Sequence, residues 1–356
     1  MKKAEFEYNW PLIGNTHITE FLEKIIANQR ANGAYIFNGP DNLGKTTLTK
    51  HFAQILFCDN YKKELDKLPC NTCPSCKQFL AEIKNPEKNI EQDENNPAHG
   101  DFHIIKKDKD KKKITVEQVR ELVKILSLTS FLNSYKIGVI KHAESLSQEA
   151  ANALLKTLEE PRDKVIIILV THNLELLPAT IKSRSQILNF RPVTSDIIYD
   201  YLINNCGVTR SMANNFSRLC LGRPALAVKF HENKDFFNQY LERINIFLNF
   251  FEQDLNERII AVNKLLNAKD NREEAGQAAT RIIEIWLGII RDWMLLEFGR
   301  NDLIQHQITE KEVKNIKSKL SLKQIINLFQ VLKEADENIN HNINPKLALT
   351  NIAISV

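Results

Sequence analysis

The spacing of apolar positions divides this chain into two halves. In the first, short apolar runs alternate with stretches whose apolar residues recur every three or four positions. Tyr35-Ile36-Phe37, Phe102 to Ile105, Lys136 to Ile140 and Val165 to Val170 read as strands, and a further strand follows Ser183-Arg184-Ser185. The run from Val165 is apolar throughout, as expected of a strand covered on both faces. Thr115 with Gln118 and Ser145 with Gln148 fit capping boxes at helix starts, and Pro161 stops the second helix. Strands alternating with helices predict a parallel sheet with crossovers. Beyond Pro192 the pattern turns helical, with amphipathic stretches such as Phe236 to Phe251, Ile282 to Phe298 and Leu322 to Glu337. The fold class is therefore α/β plus all-α.

Composition changes this picture little. The chain has 356 residues, 43% hydrophobic, with a net charge of +4, which permits contact with nucleic acid without demanding it. Glu5 and Glu7 follow directly on Met1-Lys2-Lys3-Ala4, unlike a secretory leader. No uncharged apolar run approaches the ~20 residues of a membrane span. A cytoplasmic protein without a membrane partner is expected. Residues 83–101 read as a polar, acidic surface loop, and the basic run 106–113 as a solvated hairpin turn, with a nucleic-acid contact as the alternative.

Two motifs carry chemistry. Gly39-Pro40-Asp41-Asn42-Leu43-Gly44-Lys45-Thr46 matches G-x-x-x-x-G-K-[ST]. At this spacing successive backbone N–H groups can point inward at phosphate oxygens. Lys45 would reach the β- and γ-phosphates and Thr46 would offer its hydroxyl to Mg²⁺. Hydrolysis also needs an acid at a neighbouring strand end. Lys141-His142 stands where Asp-Glu would be expected. Lys141 reads either as an exposed strand-end lysine or as an ammonium in place of the metal, and Glu144 as a cap for the next turn. ATP binding with weak or absent hydrolysis is the expectation. Thr171-His172-Asn173 follows a strand where a side chain could sense the γ-phosphate.

The second motif is Cys70-x-x-Cys73-x-x-Cys76, with Cys58 supplying a fourth thiol from the end of the P-loop helix. Four thiolates suit a closed, structural Zn²⁺ site. Cys206 and Cys220 lie apart and read as buried packing.

P-loop, cysteine cluster, the helix Ala150-Ala151-Asn152-Ala153-Leu154-Leu155-Lys156-Thr157-Leu158-Glu159-Glu160-Pro161, Ser183-Arg184-Ser185 and a helical tail occur in that order. Together they resemble the clamp-loader subunits of bacterial DNA polymerase III, closest to the delta-prime branch. The resemblance is strong over residues 11–230 and weaker afterwards, although Asn344 to Leu349 is similar to that family's C-terminal end. It implies an AAA+ module over 1–192 with a zinc insertion at 58–76, a helical lid over 193–232 and a C-terminal collar domain over 233–356. It implies Ile13 and Gly14 on the adenine side, and Gly39, Asn42, Gly44, Lys45, Thr46, Thr47 and the lid residue Arg223 around the nucleotide. Arg184 falls at the position of a trans arginine finger, in a motif whose usual cysteine is a serine here. The spacing from Cys58 to Cys70 exceeds the family's usual one. The implied partners are the motor (gamma/tau) and delta subunits in a hetero-pentamer, the sliding clamp and primed DNA. Two other readings remain at this point: a self-sufficient ATPase of the gamma/tau kind, using Glu144 or Asp163, and a zinc-dependent nucleic-acid module with a vestigial P-loop.

Overall fold

A computed structural model describes residues 7–61, 67–84, 100–108, 111, 113–128, 130, 135–267, 275–341 and 343–356. The acidic loop expected at 83–101 falls mostly outside the described residues, as do 109, 110 and 112 of the basic run. By contacts the chain separates into two units. One comprises residues 1–193 with Arg223–Ala225, and the other 194–222 with 226–356.

The first unit contains β1 (Glu7–Tyr8), α1 (Thr16–Ala27), β2 (Gly33–Asn38), α2 (Lys45–Phe57), β3 (Lys67–Leu68) and α3 (Pro74–Lys84). There follow β4 (Phe102–Ile105), α4 (Val116–Ser127), β5 (Lys136–Lys141), α5 (Gln148–Glu159), β6 (Val165–Thr171), α6 (Ala179–Lys182) and β7 (Gln186–Asn189). Five strands form one parallel sheet in the order β4-β5-β6-β2-β7, while β1 and β3 pair separately. Parallel sheets need cover on both faces, and the apolar run of β6 provides for it. Ile166 and Ile168 join a core with Leu22 of α1 and Phe52 of α2. Ile167 and Leu169 face the opposite core, with Leu122 of α4 and Leu154 of α5. Because β2 lies between β6 and β7, the chain leaves it at a topological switch point, where open α/β sheets place their ligands.

Two local expectations are corrected. α4 has the capping box of Thr115 and Gln118, but α5 is capped by Ser147, which accepts from the Ala150 N–H. Ser145 is taken up in a 3₁₀ turn over Ala143–Ser145, which shifts the helix start by two residues. The described end of the basic run does not fit the expected hairpin: Ile114 makes a parallel bridge to Leu146, and Thr115 then opens α4, so among the described residues no antiparallel partner of β4 follows.

The second unit is helical, with α7 (Ser195–Cys206), α8 (Arg210–Leu219), α9 (Pro224–Glu232, whose first two residues count with the first unit), α10 (Lys234–Asn249), α11 (Leu255–Asn267), α12 (Ala275–Glu297), α13 (Glu310–Ser318), α14 (Leu322–Asn340) and α15 (Pro345–Ser355). Phe247 of α10 stacks on Trp286 and Trp293 of α12. Each indole N–H finds a carbonyl, Trp286 on Arg243 and Trp293 on Val313, so neither polar group is left unpaired in the core. The fully buried Asp292 carboxylate accepts from the Gln305 and His306 N–H groups and contacts His306 Nδ1. Cys220 is buried, whereas Cys206 is only half-buried, contrary to expectation. Among the described residues no helix is long and apolar enough to cross a membrane.

Gly138 lets α4 lie close on the sheet. A Cβ there would stand 2.8 Å from Leu126 Cδ1 and 3.2 Å from Leu122 Cδ1, both on buried side chains. Gly138→Val should therefore overpack this layer and lower unfolding free energy by about 1–3 kcal/mol in urea titrations. Unchanged or raised stability would show that the layer has slack.

Candidate functional site

The loop after β2 turns where the sequence places its glycines. Gly39 has φ 143°, and a Cβ there would stand 2.4 Å from the Phe190 carbonyl oxygen, so no side chain fits. Asn42 (φ 63°) and Gly44 (φ 85°) are left-handed, and Gly44 is the N-cap of α2. The first amides of α2 and its dipole thus point into the loop, an arrangement suited to phosphate. The Lys45 ammonium is buried and donates to the Gly39 and Pro40 carbonyls, the latter at 2.7 Å, with Asp41 at 3.8 Å. Burial lowers its pKa, while Asp41 and Glu144 pull it the other way.

Above this loop is a cavity of about 210 Å³. Asp41, Asn42, Gly44, Lys45, Thr46 and Thr47 line one side. Lys141, His142, Thr171 and His172, from the ends of β5 and β6, line another, together with Ala225. The Ala225 N–H donates to the Asn42 carbonyl at 3.0 Å, two residues beyond Arg223. Ile13 and Gly14 are not among the lining residues. They lie before α1, where Gly14 (φ 67°) abuts Val193, while the neighbouring Leu12 reaches within 3.0 Å of a Cβ built on Gly44.

The strand-end reading of Lys141 as a solvent-exposed residue is corrected. It lines the cavity half-buried, and burial, with Lys50 and Lys106 adding, brings its pKa down to about 8. A lysine holding most of its charge at neutral pH therefore stands where a metal-binding carboxylate was sought. Glu144 is no helix cap either. Its carboxylate accepts from Thr171 Oγ1 at 2.6 Å and is met by His172 Nδ1 at 2.8 Å and His142 Nδ1 at 3.3 Å. Burial alone would raise its pKa, but these hydrogen bonds outweigh burial and hold it far below the usual carboxylate range. This three-residue cluster is absent from the sequence reading, because it forms only when β5 and β6 pair. Asp163 precedes β6 and so lies at the opposite end of the parallel sheet from the loop. It is in no position to act there.

The four cysteines converge. Their sulfurs lie within 4.8 Å of one another, and Cys58 and Cys70 are 3.5 Å apart. Tetrahedral Zn–S bonds of ~2.3 Å require sulfurs ~3.8 Å apart, so the donor set and its spacing suit one ion. The Cys73 and Cys76 N–H groups donate to the sulfurs of Cys70 and Cys73, both at 3.4 Å, as thiolates require. The hydrogen bond between Cys58 and Cys76 lowers the pKa of the Cys58 thiol and raises that of Cys76. Cys58 follows directly on α2, and Cys70 lies between β3 and α3.

Arg184 lies beyond α6, and it is not among the residues lining the cavity of its own chain. Its guanidinium pairs with Glu159 Oε1 at 2.7 Å and donates to the Thr180 carbonyl at 3.1 Å, with a third of the side chain exposed.

Residues 14–194, half of the chain, match the family model described as DNA polymerase III, delta subunit. The chain is 25% identical to the delta' subunit of Bacillus subtilis DNA polymerase III over 329 residues, covering 92% of this chain and 91% of that one. It is 32% identical to the tau subunit of the same organism over 187 residues, 52% of this chain but only 30% of tau. It is also 32% identical to the Pseudomonas aeruginosa delta' subunit over 151 residues, 42% of this chain and 40% of that one. The chain belongs to the DNA polymerase III delta-subunit family, as a delta-prime-like clamp-loader subunit with an AAA+ module.

Proposed function

We propose that this chain is a positional subunit of a clamp loader. In this reading it holds ATP in the P-loop cavity without turning it over, lends Arg184 to the ATP site of a neighbouring motor subunit, and helps load a sliding clamp onto primed DNA. Its partners are the gamma/tau and delta subunits, and its compartment is the cytoplasm. One observation carries the reading: a whole phosphate cradle faces Lys141, where hydrolysis needs an acid. Two unit charges 4 Å apart interact by ~4 kcal/mol at an effective dielectric of 20, so an ammonium there opposes a divalent ion and favours a phosphate. Glu144 is engaged by Thr171, His142 and His172 and is a poor base. Around the nucleotide we assign Gly39, Asn42, Gly44, Lys45, Thr46, Thr47 and Arg223, with Ile13 and Gly14 on the adenine side. One structural Zn²⁺ is assigned to Cys58, Cys70, Cys73 and Cys76.

The isolated chain should bind ATP, and Lys45→Ala should weaken binding by at least about tenfold, as loss of a charge-assisted contact implies. Calorimetry with a parallel phosphate-release assay checks this. Steady hydrolysis abolished by Lys45→Ala would contradict it.

Protein purified without added zinc should carry one equivalent, and Cys73→Ser should lower both metal content and melting temperature, since a structural zinc contributes directly to folding. A metal-free protein that melts as the wild type does would refute the site.

Arg184→Ala should leave folding and assembly intact and slow stimulated ATP hydrolysis at the adjacent motor site, where an arginine finger contributes ~10³–10⁵ in rate. Arg184→Lys should rescue poorly, because lysine lacks the planar fork. Full activity of reconstituted complexes carrying Arg184→Ala would show that the residue has no such role.

A further inference from the structure

The cluster of His142, Glu144 and His172 goes unused in the reading above. It is assembled from two strands: β5 runs into His142 and the turn bearing Glu144, and β6 ends one residue before His172. One ligand atom from each of the three lies within 4.8 Å of the other two. Glu144 Oε1 is 2.8 Å from His172 Nδ1 and 3.3 Å from His142 Nδ1. Donors bonded to one ion at ~2.0–2.2 Å stand ~2.9 Å apart at right angles and ~3.4 Å apart at tetrahedral angles. The two separations to Glu144 Oε1 fall at or close to these limits, and the histidine nitrogens, within 4.8 Å of each other, would close up around an ion that replaces the protons they share with the carboxylate.

Two further features point to a built site. His142 adopts a left-handed conformation (φ 54°), a local cost of ~1–2 kcal/mol for a non-glycine residue. Such strain often marks functional positions. The second carboxylate oxygen of Glu144 is fixed by Thr171 Oγ1 at 2.6 Å, and that hydroxyl is itself held against the Asn173 backbone. Outer hydrogen bonds of this kind orient metal ligands.

The geometry points to a second metal site, in which His142, Glu144 and His172 hold one divalent transition-metal ion at the rim of the P-loop cavity. Two imidazoles and one carboxylate favour an ion of the zinc class, whereas Mg²⁺ takes oxygen ligands. His142 and His172 both line the cavity, so the remaining coordination positions open toward it. The site is distinct from the four-cysteine group and does not depend on nucleotide.

The test uses the full chain, free of nucleotide, with the zinc retained by the cysteines first counted by metal analysis. Zn²⁺ is then titrated calorimetrically in the presence of excess Mg²⁺. One further equivalent should bind. His172→Gln, His142→Ala and Glu144→Gln should each weaken it by at least about tenfold. His17→Ala, which alters an exposed histidine elsewhere on α1, should leave it unchanged. Both cluster histidines are exposed, so their variants should keep the wild-type melting profile. A folded wild-type chain that takes up no further equivalent, or a further equivalent that survives both histidine substitutions, would overturn the site.

Discussion

The fold is organised around a backbone constraint between β2 and α2. Within the residues from Gly39 to Lys45 the chain must leave a buried central strand, wrap a phosphate-sized space and begin a helix. Gly39 has no room for a side chain beneath the Phe190 carbonyl, and Gly44 must take a left-handed turn to cap α2. Both conditions depend on β7 lying beside β2, because Phe190 follows directly on β7 and its N–H bonds to the Asn38 carbonyl. On the other side β6 brings Thr171, whose carbonyl accepts the Gly39 N–H. The cradle is therefore a product of the strand order, and the strand order rests on apolar runs that fill both faces of the sheet.

The same register decides what faces the cradle. Lys141 pairs with Val170, which sets the end of β5 beside the end of β6. Lys141, His142, Thr171 and His172 then share one wall of the cavity. The wall is basic and imidazole-rich where ATP hydrolysis calls for carboxylates. Binding and turnover place different demands on the two walls: one side has amides and a lysine suited to phosphate, and the other presents Lys141. Arg184, at the entry to β7, is tied to Glu159 at the end of α5 rather than to this cavity. Any action of the guanidinium on another subunit exchanges that surface pair, a contact of small net worth, for phosphate oxygens.

Much of this was legible in the sequence because it is local. The P-loop is a motif of eight consecutive residues, the capping box of α4 spans four, and four of the five sheet strands announce themselves as apolar runs, β7 being marked only by the Ser183-Arg184-Ser185 that precedes it. Three cysteines at fixed spacing read as one site for the same reason. What escaped depends on residues brought together across the sheet. Glu144 reads as a cap until β6 delivers Thr171 and His172 to it. Whether Lys141 is an exposed strand end or an ammonium in place of the metal is open in the sequence, and its half-buried place in the cavity wall appears only once β5 and β6 pair. The start of α5 shifts to Ser147 because Ala143–Ser145 forms a 3₁₀ turn. The ion pair of Arg184 with Glu159 joins two helix ends that are 25 positions apart in the sequence, and no local signal marks it.

The central claim is that Lys141 takes the place of the metal-binding carboxylate. It is tested most directly by the dependence of ATP affinity on Mg²⁺ in the isolated, zinc-bearing chain, compared with Lys141→Asp. The account predicts that wild-type affinity changes little when Mg²⁺ is omitted, and that the aspartate variant acquires a requirement for Mg²⁺. Wild-type affinity that falls by about tenfold or more without Mg²⁺ would contradict it.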